Sequence, residues 1–224
     1  MESSTQPSDA HVRTCQVDWS VYLVTDPVLV GPRSLIEVVA AAIRGGVTMV
    51  QYRDKNASTR VMAETASGLV SLCHRMGAMF VVNDRIDVAL AVDADGVHLG
   101  QDDMPVATAR RLLGPNKLLG VSVHNRDEIR QAEHDGADHV SLSPVFATAT
   151  KADHQPPLDL EGVRTLSRTS HLPVIAIGGI HAGNAADVIR AGARGICVVS
   201  AIISAPDPER AALDLCRTVA EARR

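Results

Sequence analysis

The residues with the clearest chemical potential lie in Met49-Val50-Gln51-Tyr52-Arg53-Asp54-Lys55. Side chains of an extended chain alternate between faces, which puts Gln51, Arg53 and Lys55 on one side and Val50 and Tyr52 on the other. The first side carries two cations at the end of an otherwise apolar strand. An unpaired charge is costly to bury, so these cations must face water or a bound anion, and a phosphate or diphosphate is the matching guest. A strand running out into a solvated loop gives the same local pattern, so the decision falls to the rest of the chain.

Carboxylates form the second group. Asp84 follows Val82-Asn83, and Asp103 ends Gly100-Gln101-Asp102-Asp103. Like charges about 4 Å apart cost about 4 kcal/mol at an effective dielectric near 20, so a carboxylate in direct contact with a phosphate is unfavourable. A divalent cation between them reverses the sign, and Mg2+ characteristically takes one or two protein carboxylates together with waters and substrate phosphates. Mg2+ is therefore the expected cofactor, with Asp84 and Asp103 as its ligands. Two other roles stay open here. Both residues precede helical patterns and would serve as caps, and either would serve as a general base.

These groups need a scaffold that brings them together. The 224-residue chain fits one domain of the size common among α/β barrels. Apolar residues make up 46% and aromatics only 2%, so the core must be built from Val, Ile, Leu and Ala, as suits parallel strands under helices. A net charge of −4 with no basic stripe argues against nucleic acid as a partner. Cys15, Cys73, Cys197 and Cys216 are scattered without metal-ligand spacing, and neither a signal peptide nor a long apolar segment is present. The expectation is a reduced, cytoplasmic protein without a membrane partner; the sequence is compatible with a homo-oligomer.

Met1 to Asp18 is rich in Ser, Thr, Gln, Pro and Asp and reads as a frayed tail. From Trp19 to Arg224 short β-rich runs alternate with helical patterns. Strands are predicted at Val21–Thr25, Met49–Tyr52, Met79–Asn83, Gly96–Leu99, Leu118–Val123, His139–Leu142, Val174–Ile177 and Gly195–Val199. The intervening helices are Leu35–Arg44, Thr59–Met76, Arg85–Val92, Val106–Leu113, Arg126–Asp135, Leu160–Ser167, Ala182–Ala191 and Pro208–Ala222. Gly45-Gly46, Gly77, Gly114-Pro115, Gly136 and Gly192 fall where helices hand over to strands. Eight β/α pairs imply a single-domain (β/α)8 TIM barrel. The alternative, an open doubly wound sheet, lacks its dinucleotide fingerprint.

Such barrels place their active sites at the carboxyl ends of the strands. Reactive residues of this chain cluster there: Thr25-Asp26, Arg53 and Lys55, Asn83-Asp84, Gln101 to Asp103, Ser122 and His124, Ser143 to Lys151, Gly178-Gly179 and Ser200. Gly178-Gly179 and Ser200 occupy the two loops that commonly bind phosphate through backbone N–H groups, although a tight turn would also use the glycine pair.

Taken together, Gln51-Tyr52-Arg53-Asp54-Lys55, Val82-Asn83-Asp84, Val97 to Asp103, Gly120-Val121-Ser122-Val123-His124, Thr148-Ala149-Thr150-Lys151, Ile177-Gly178-Gly179-Ile180 and Val198 to Ile202 resemble the thiamine phosphate synthase family, also called thiamine-phosphate pyrophosphorylase. The resemblance runs in order from the second strand to the eighth and implies the (β/α)8 barrel again. It implies transfer of an aminopyrimidine-methyl group from its diphosphate to the nitrogen of a thiazole phosphate by a dissociative, carbocation route. On the same resemblance Arg53, Lys55, Asn83 and Lys151 would hold the diphosphate, with Gln51 and Ser122 near the pyrimidine and its leaving group. Asp84 and Asp103 would hold Mg2+. Thr148 and Thr150 would border the thiazole phosphate, and Gly179 with the backbone of Val199 and Ser200 would bind it. Arg53, Lys55, Ser122 and Lys151 are the residues expected to act in catalysis. His98, His124 and His139 read as structural. The chain departs from the family pattern at Ala147, where a proline is usual, and at Ser143, where a glycine is usual. The competing readings are a thiazole tautomerase, which has no need of a diphosphate and metal site, and a non-catalytic barrel that binds thiazole phosphate.

Overall fold

The computed structural model describes residues 17–148 and 155–224. The predicted tail, except Val17 and Asp18, lies outside the described residues, as do Thr150 and Lys151. Eight strands are present: β1 (Val21–Val24), β2 (Met49–Tyr52), β3 (Met79–Asn83), β4 (Gly96–Leu99), β5 (Leu118–Val123), β6 (His139–Leu142), β7 (Val174–Ile177) and β8 (Gly195–Val198). All pair in parallel with their neighbours in chain order, and β1 also pairs with β8, so the sheet closes. Parallel neighbours need a crossover each, which the helices provide. These are α1 (Pro27–Val30), α2 (Leu35–Arg44), α3 (Thr59–Met76), α4 (Ile86–Ala91), α5 (Val106–Leu113), α6 (Arg126–His134), α7 (Asp159–Ser167), α8 (Ala185–Arg190), α9 (Ser200–Ile203) and α10 (Pro208–Ala222). The protein is a (β/α)8 barrel.

The alternation along each strand separates two cores. Val21, Leu23, Val50 and Tyr52 face the helices, while Tyr22, Val24 and Met49 face the barrel axis with Val81, Leu118, Ile175 and Cys197. Gln51 follows Met49 on the axial side, where its amide donates to the Tyr22 hydroxyl at 2.7 Å. Serine caps start the first long helices: Ser34 accepts from the Glu37 N–H, and Ser58 from that of Val61. At the end of α3, Gly77 adopts φ 78° and its N–H returns to the carbonyls of the last turn.

The elements depart from the predicted ones mainly at their edges. Thr25 and Val199 lie beyond their strands, and α8 begins at Ala185 rather than Ala182. A turn replaces its first residues, with the His181 N–H donating to Asn184 Oδ1 at 2.8 Å. α1 and α9 were not predicted, because four residues are too few to show a helical period.

Polar rings enter the axial core as well. His139 is fully buried, with its ring 4.7 Å from that of Trp19 and 5.6 Å from that of His98. Burial, assisted by the neighbouring His98, holds its imidazole well below the ordinary histidine range, so the ring is neutral. Among the described residues neither of its nitrogens has a hydrogen-bond partner.

Closure between β8 and β1 requires a missing side chain. A Cβ on Gly195 would lie 1.5 Å from the Trp19 carbonyl oxygen. Gly195→Ala is therefore expected to lower the free energy of unfolding by about 3 kcal/mol. Urea denaturation checks this, and an unchanged midpoint and slope would contradict it.

Candidate active site

The carboxyl ends of the strands surround a cavity of about 680 Å³. Gln51, Arg53, Asn83, Ser122, Thr148, Gly179, Val199 and Ser200 all line it, although they come from six different strand ends. Lys55, Asp84 and Asp103 are not in its wall. They form a charged group beside it.

Each side chain is held by a local device. The buried Thr25 fixes the loop after β2, because its Oγ1 accepts the Arg53 N–H at 3.0 Å while its own N–H donates to the Gln51 carbonyl at 2.9 Å. Arg53 thus enters the cavity wall, and among the described residues no carboxylate pairs with it. The next turn is organised by Asp54 Oδ1, which accepts the N–H groups of Asn56 and Ala57 at 2.9 and 3.0 Å. Lys55 is thereby presented to Asp84, with Nζ 3.1 Å from Oδ2. The two cations of the sequence motif therefore differ: one is unpaired and the other is half of an ion pair.

Asp84 occupies the left-handed region at φ 61°, and its N–H donates to the His98 carbonyl at 2.9 Å. An aspartate tolerates this conformation better than most residues. Its side chain does not cap α4, whose N-cap is Arg85 and which has no side-chain cap hydrogen bond. Asp103 does not cap α5, whose N-cap is Pro105; its Oδ2 accepts the Gly100 N–H at 2.7 Å. Both capping readings are thereby excluded. The two carboxyls instead act on each other. Burial, then the Asp103 carboxyl, raises the Asp84 pKa, and these effects outweigh the opposing Lys55. An Asp84 carboxyl that resists ionisation with a second carboxyl beside it suits a divalent ion, whose charge would favour the ionised form. Among the described residues no group of three or more His, Cys, Asp or Glu could hold one. Mg2+ fits this sparse donor set because it retains waters and substrate oxygens.

Ser122 stands across the cavity on β5. His98 Nε2 lies 3.0 Å from its Oγ, and its carbonyl accepts the Gln101 side-chain amide at 2.7 Å. His98 itself lines the cavity, which the sequence reading as a structural histidine did not anticipate. An alternating strand does place His98 of β4 and Ser122 of β5 on the axial side, but the register that makes them neighbours is not local. His124 behaves differently. Its Nδ1 lies 3.1 Å from the Ser143 carbonyl and its N–H donates to Glu128 Oε2, outside the wall of the cavity.

The opposite side is built from backbone. Gly178 and Gly179 have φ 107° and 63°. A Cβ on Gly178 would approach Pro144 to 2.7 Å, and one on Gly179 would approach the Ala147 carbonyl to the same distance. The loops after β6 and β7 consequently run side by side, joined by a 3.0 Å bond from the Phe146 N–H to the Gly178 carbonyl. Thr148 lines the cavity at the end of the first loop; Thr150 and Lys151 lie outside the described residues. Cys197 also reaches the wall, but burial raises its pKa far above neutrality, which makes it a poor nucleophile. Asp26, one of the reactive residues expected after β1, lines the wall, and Leu29 and His181 are further wall residues that carried no sequence signal of their own. No helix among the described residues is long and apolar enough to cross a membrane.

The cavity thus presents Arg53 at one side and the glycine-bearing loop after β7 at another. Residues 21–202 match the thiamine monophosphate synthase family. The chain is 57% identical to the thiamine-phosphate synthase of Chloroflexus aurantiacus, over 93% of this chain and 94% of that protein. It is 48% identical to the corresponding protein of Roseiflexus castenholzii, over 90% and 88% of the two chains. The solved thiamine phosphate pyrophosphorylase from Pyrococcus furiosus superposes with a TM-score of 0.84 at 40% identity, over 92% of this chain and 97% of that one. A 3-hexulose-6-phosphate synthase, at 18% identity and a TM-score of 0.67, shares the fold alone. A family match spanning all eight strands, with relatives matched over nearly their whole length, establishes that the chain belongs to the thiamine monophosphate synthase family.

Proposed function

We propose that this protein joins 4-amino-2-methyl-5-hydroxymethylpyrimidine diphosphate to 4-methyl-5-(2-phosphoethyl)thiazole, releasing diphosphate and forming thiamine phosphate. The observation that carries this reading is one cavity with an arginine that no described carboxylate pairs at one side and glycine-bearing loop backbone at another, in a member of this family.

The chemistry requires no protein nucleophile. The bond between the pyrimidine methylene carbon and the diphosphate oxygen breaks, and its electron pair leaves with the diphosphate. Arg53 and Asn83, which line the cavity, would meet the departing oxygens as they gain charge, and preorganised donors of this kind stabilise a leaving group as it forms. The electron-rich aminopyrimidine stabilises the resulting carbocation. Gln51, held by Tyr22, and Ser122, held by His98, fix the ring on the cavity floor. The thiazole nitrogen then supplies the electron pair for the new C–N bond. Gly179 and the backbone of Val199 and Ser200 hold the second substrate by its phosphate, so capture is a matter of orientation. Asp84 and Asp103 would hold Mg2+, which when bound would supply positive charge to the diphosphate. Lys55, already near Asp84, and Lys151, assigned by family resemblance, complete the cationic side.

The direct test is product formation by the purified protein with each substrate omitted in turn. Thiamine phosphate appearing only with both substrates supports the reading; none in the complete mixture overturns it. Arg53→Ala and Lys151→Ala are each expected to reduce turnover about 100- to 1000-fold with the fold retained. Steady-state kinetics with circular dichroism checks this, and near-parental rates would remove the diphosphate assignment.

The raised pKa of Asp84 sets a further expectation. Its folded form retains a proton at pH values where the unfolded carboxylate has lost it, so ionisation costs stability as pH rises above the ordinary range near 4. Asp84→Asn also accommodates the left-handed backbone. It is expected to raise the melting temperature of the metal-free protein at neutral pH while increasing the Mg2+ concentration needed for activity. Proton competition should likewise weaken Mg2+ binding to the parent from about pH 8 to about pH 5. Calorimetric titration at both values checks this; equal affinities would remove Asp84 as a ligand.

A further inference from the structure

Arg33 lies between α1 and α2, away from every residue assigned to the substrates. Its guanidinium uses three separate nitrogens on three separate carbonyls. Nε donates to Val30 at 3.2 Å, one Nη donates to Ala205 at 2.8 Å and the other donates to Ile203. Val30 ends α1, whereas Ile203 and Ala205 lie at and just beyond the end of α9. One side chain therefore joins the loop after β1 to the loop after β8, across 170 positions of sequence to Ile203 and 172 to Ala205. No carboxylate among the described residues pairs with Arg33, so its cationic donors serve backbone carbonyls alone.

Both joined segments form the same side of the cavity. Asp26 and Leu29 line it from the first loop, and Val199, Ser200 and Ala201 from the last. α9 is only one turn long and has no side-chain cap. The Ile203 N–H donates to the Val199 carbonyl at 2.9 Å, and the Ser204 N–H to that of Ser200 at 3.1 Å, so movement at the end of the turn is transmitted to its beginning. The terminal carbonyls of a helix have no intrahelical donors, and here Arg33 supplies them.

We propose that Arg33 is a positioning residue for the thiazole phosphate: it fixes the Val199–Ser200 backbone against the α1 wall and so sets the place of the second substrate's anion. This inference rests on the thiamine phosphate synthase reading above. The role needs an arginine. A planar guanidinium presents donors along several directions at once, whereas a lysine ammonium concentrates them on one nitrogen and cannot span the same three carbonyls. The guanidinium makes its bonds away from the reacting atoms, so its loss should displace one phosphate without disturbing the cationic side around Arg53.

The test is a comparison of Arg33→Lys and Arg33→Met with the parent protein, varying each substrate separately. The KM for the thiazole phosphate is expected to rise about 10- to 100-fold, as a misplaced cradle would cause. The KM for the pyrimidine diphosphate should remain within about twofold, because its ligands lie on other strands. Competitive inhibition by inorganic phosphate against the thiazole phosphate should weaken in parallel. A merely structural arginine would change both KM values together, or lower only the melting temperature, and either result overturns the proposal. If Arg33→Met does not fold, Arg33→Lys decides, since it keeps the charge and loses the span. An inactive parent would remove the functional reading and this inference with it; an active parent with an unshifted Arg33→Lys would remove the inference alone.

Discussion

Tyr22 and Leu23 of β1 pair on one side with Met49 and Val50 of β2 and on the other with Cys197 and Val198 of β8, so that the sheet has no free edge. Closure brings the carboxyl ends of strands distant in sequence around one opening. It places Arg53, which follows β2, opposite Gly178 and Gly179, which follow β7. The same closure hides Gln51, His98 and His139 among apolar axial residues. There the Gln51–Tyr22 bond and the His98–Ser122 contact fix polar groups on the floor that an open sheet would leave to solvent.

Charge is distributed unevenly around the opening. Backbone bonds to Thr25 set the chain direction at Arg53, and no acid among the described residues neutralises it. Asp84, Asp103 and Lys55 form a separate group in which burial and carboxyl proximity dominate over the ion pair. On the opposite side there are few charges, and the loops after β7 and β8 present backbone. In the proposed function the diphosphate goes to the first side and the smaller thiazole phosphate to the second, and this difference is what would orient the two substrates against each other.

Much of this arrangement was legible in the sequence. β2 to β7 have the predicted bounds, because β-branched runs ended by glycine-marked turns carry a local signal. Polar residues at strand ends located the mouth. Other features depend on contacts between distant segments and leave no local mark. Nothing local marks Arg33 until the fold brings Ile203 and Ala205 beside it. Lys55 reads as a free cation until the αL turn at Asp84 delivers a carboxylate. His98 resembles any histidine in a buried strand until the β4–β5 register sets it against Ser122. The short helices α1 and α9 were missed for a related reason: flanking contacts, not periodicity, hold a single turn.

The central claim is that the mouth has two separate anion positions, one near Arg53 and one at Gly179 and Ser200. Calorimetric titration of the thiazole phosphate into protein already saturated with diphosphate and Mg2+ tests it most directly. The account predicts that the thiazole phosphate still binds with one site per chain and an affinity close to that for the diphosphate-free protein. Mutual exclusion of the two ligands would place both anions at one position and contradict the account.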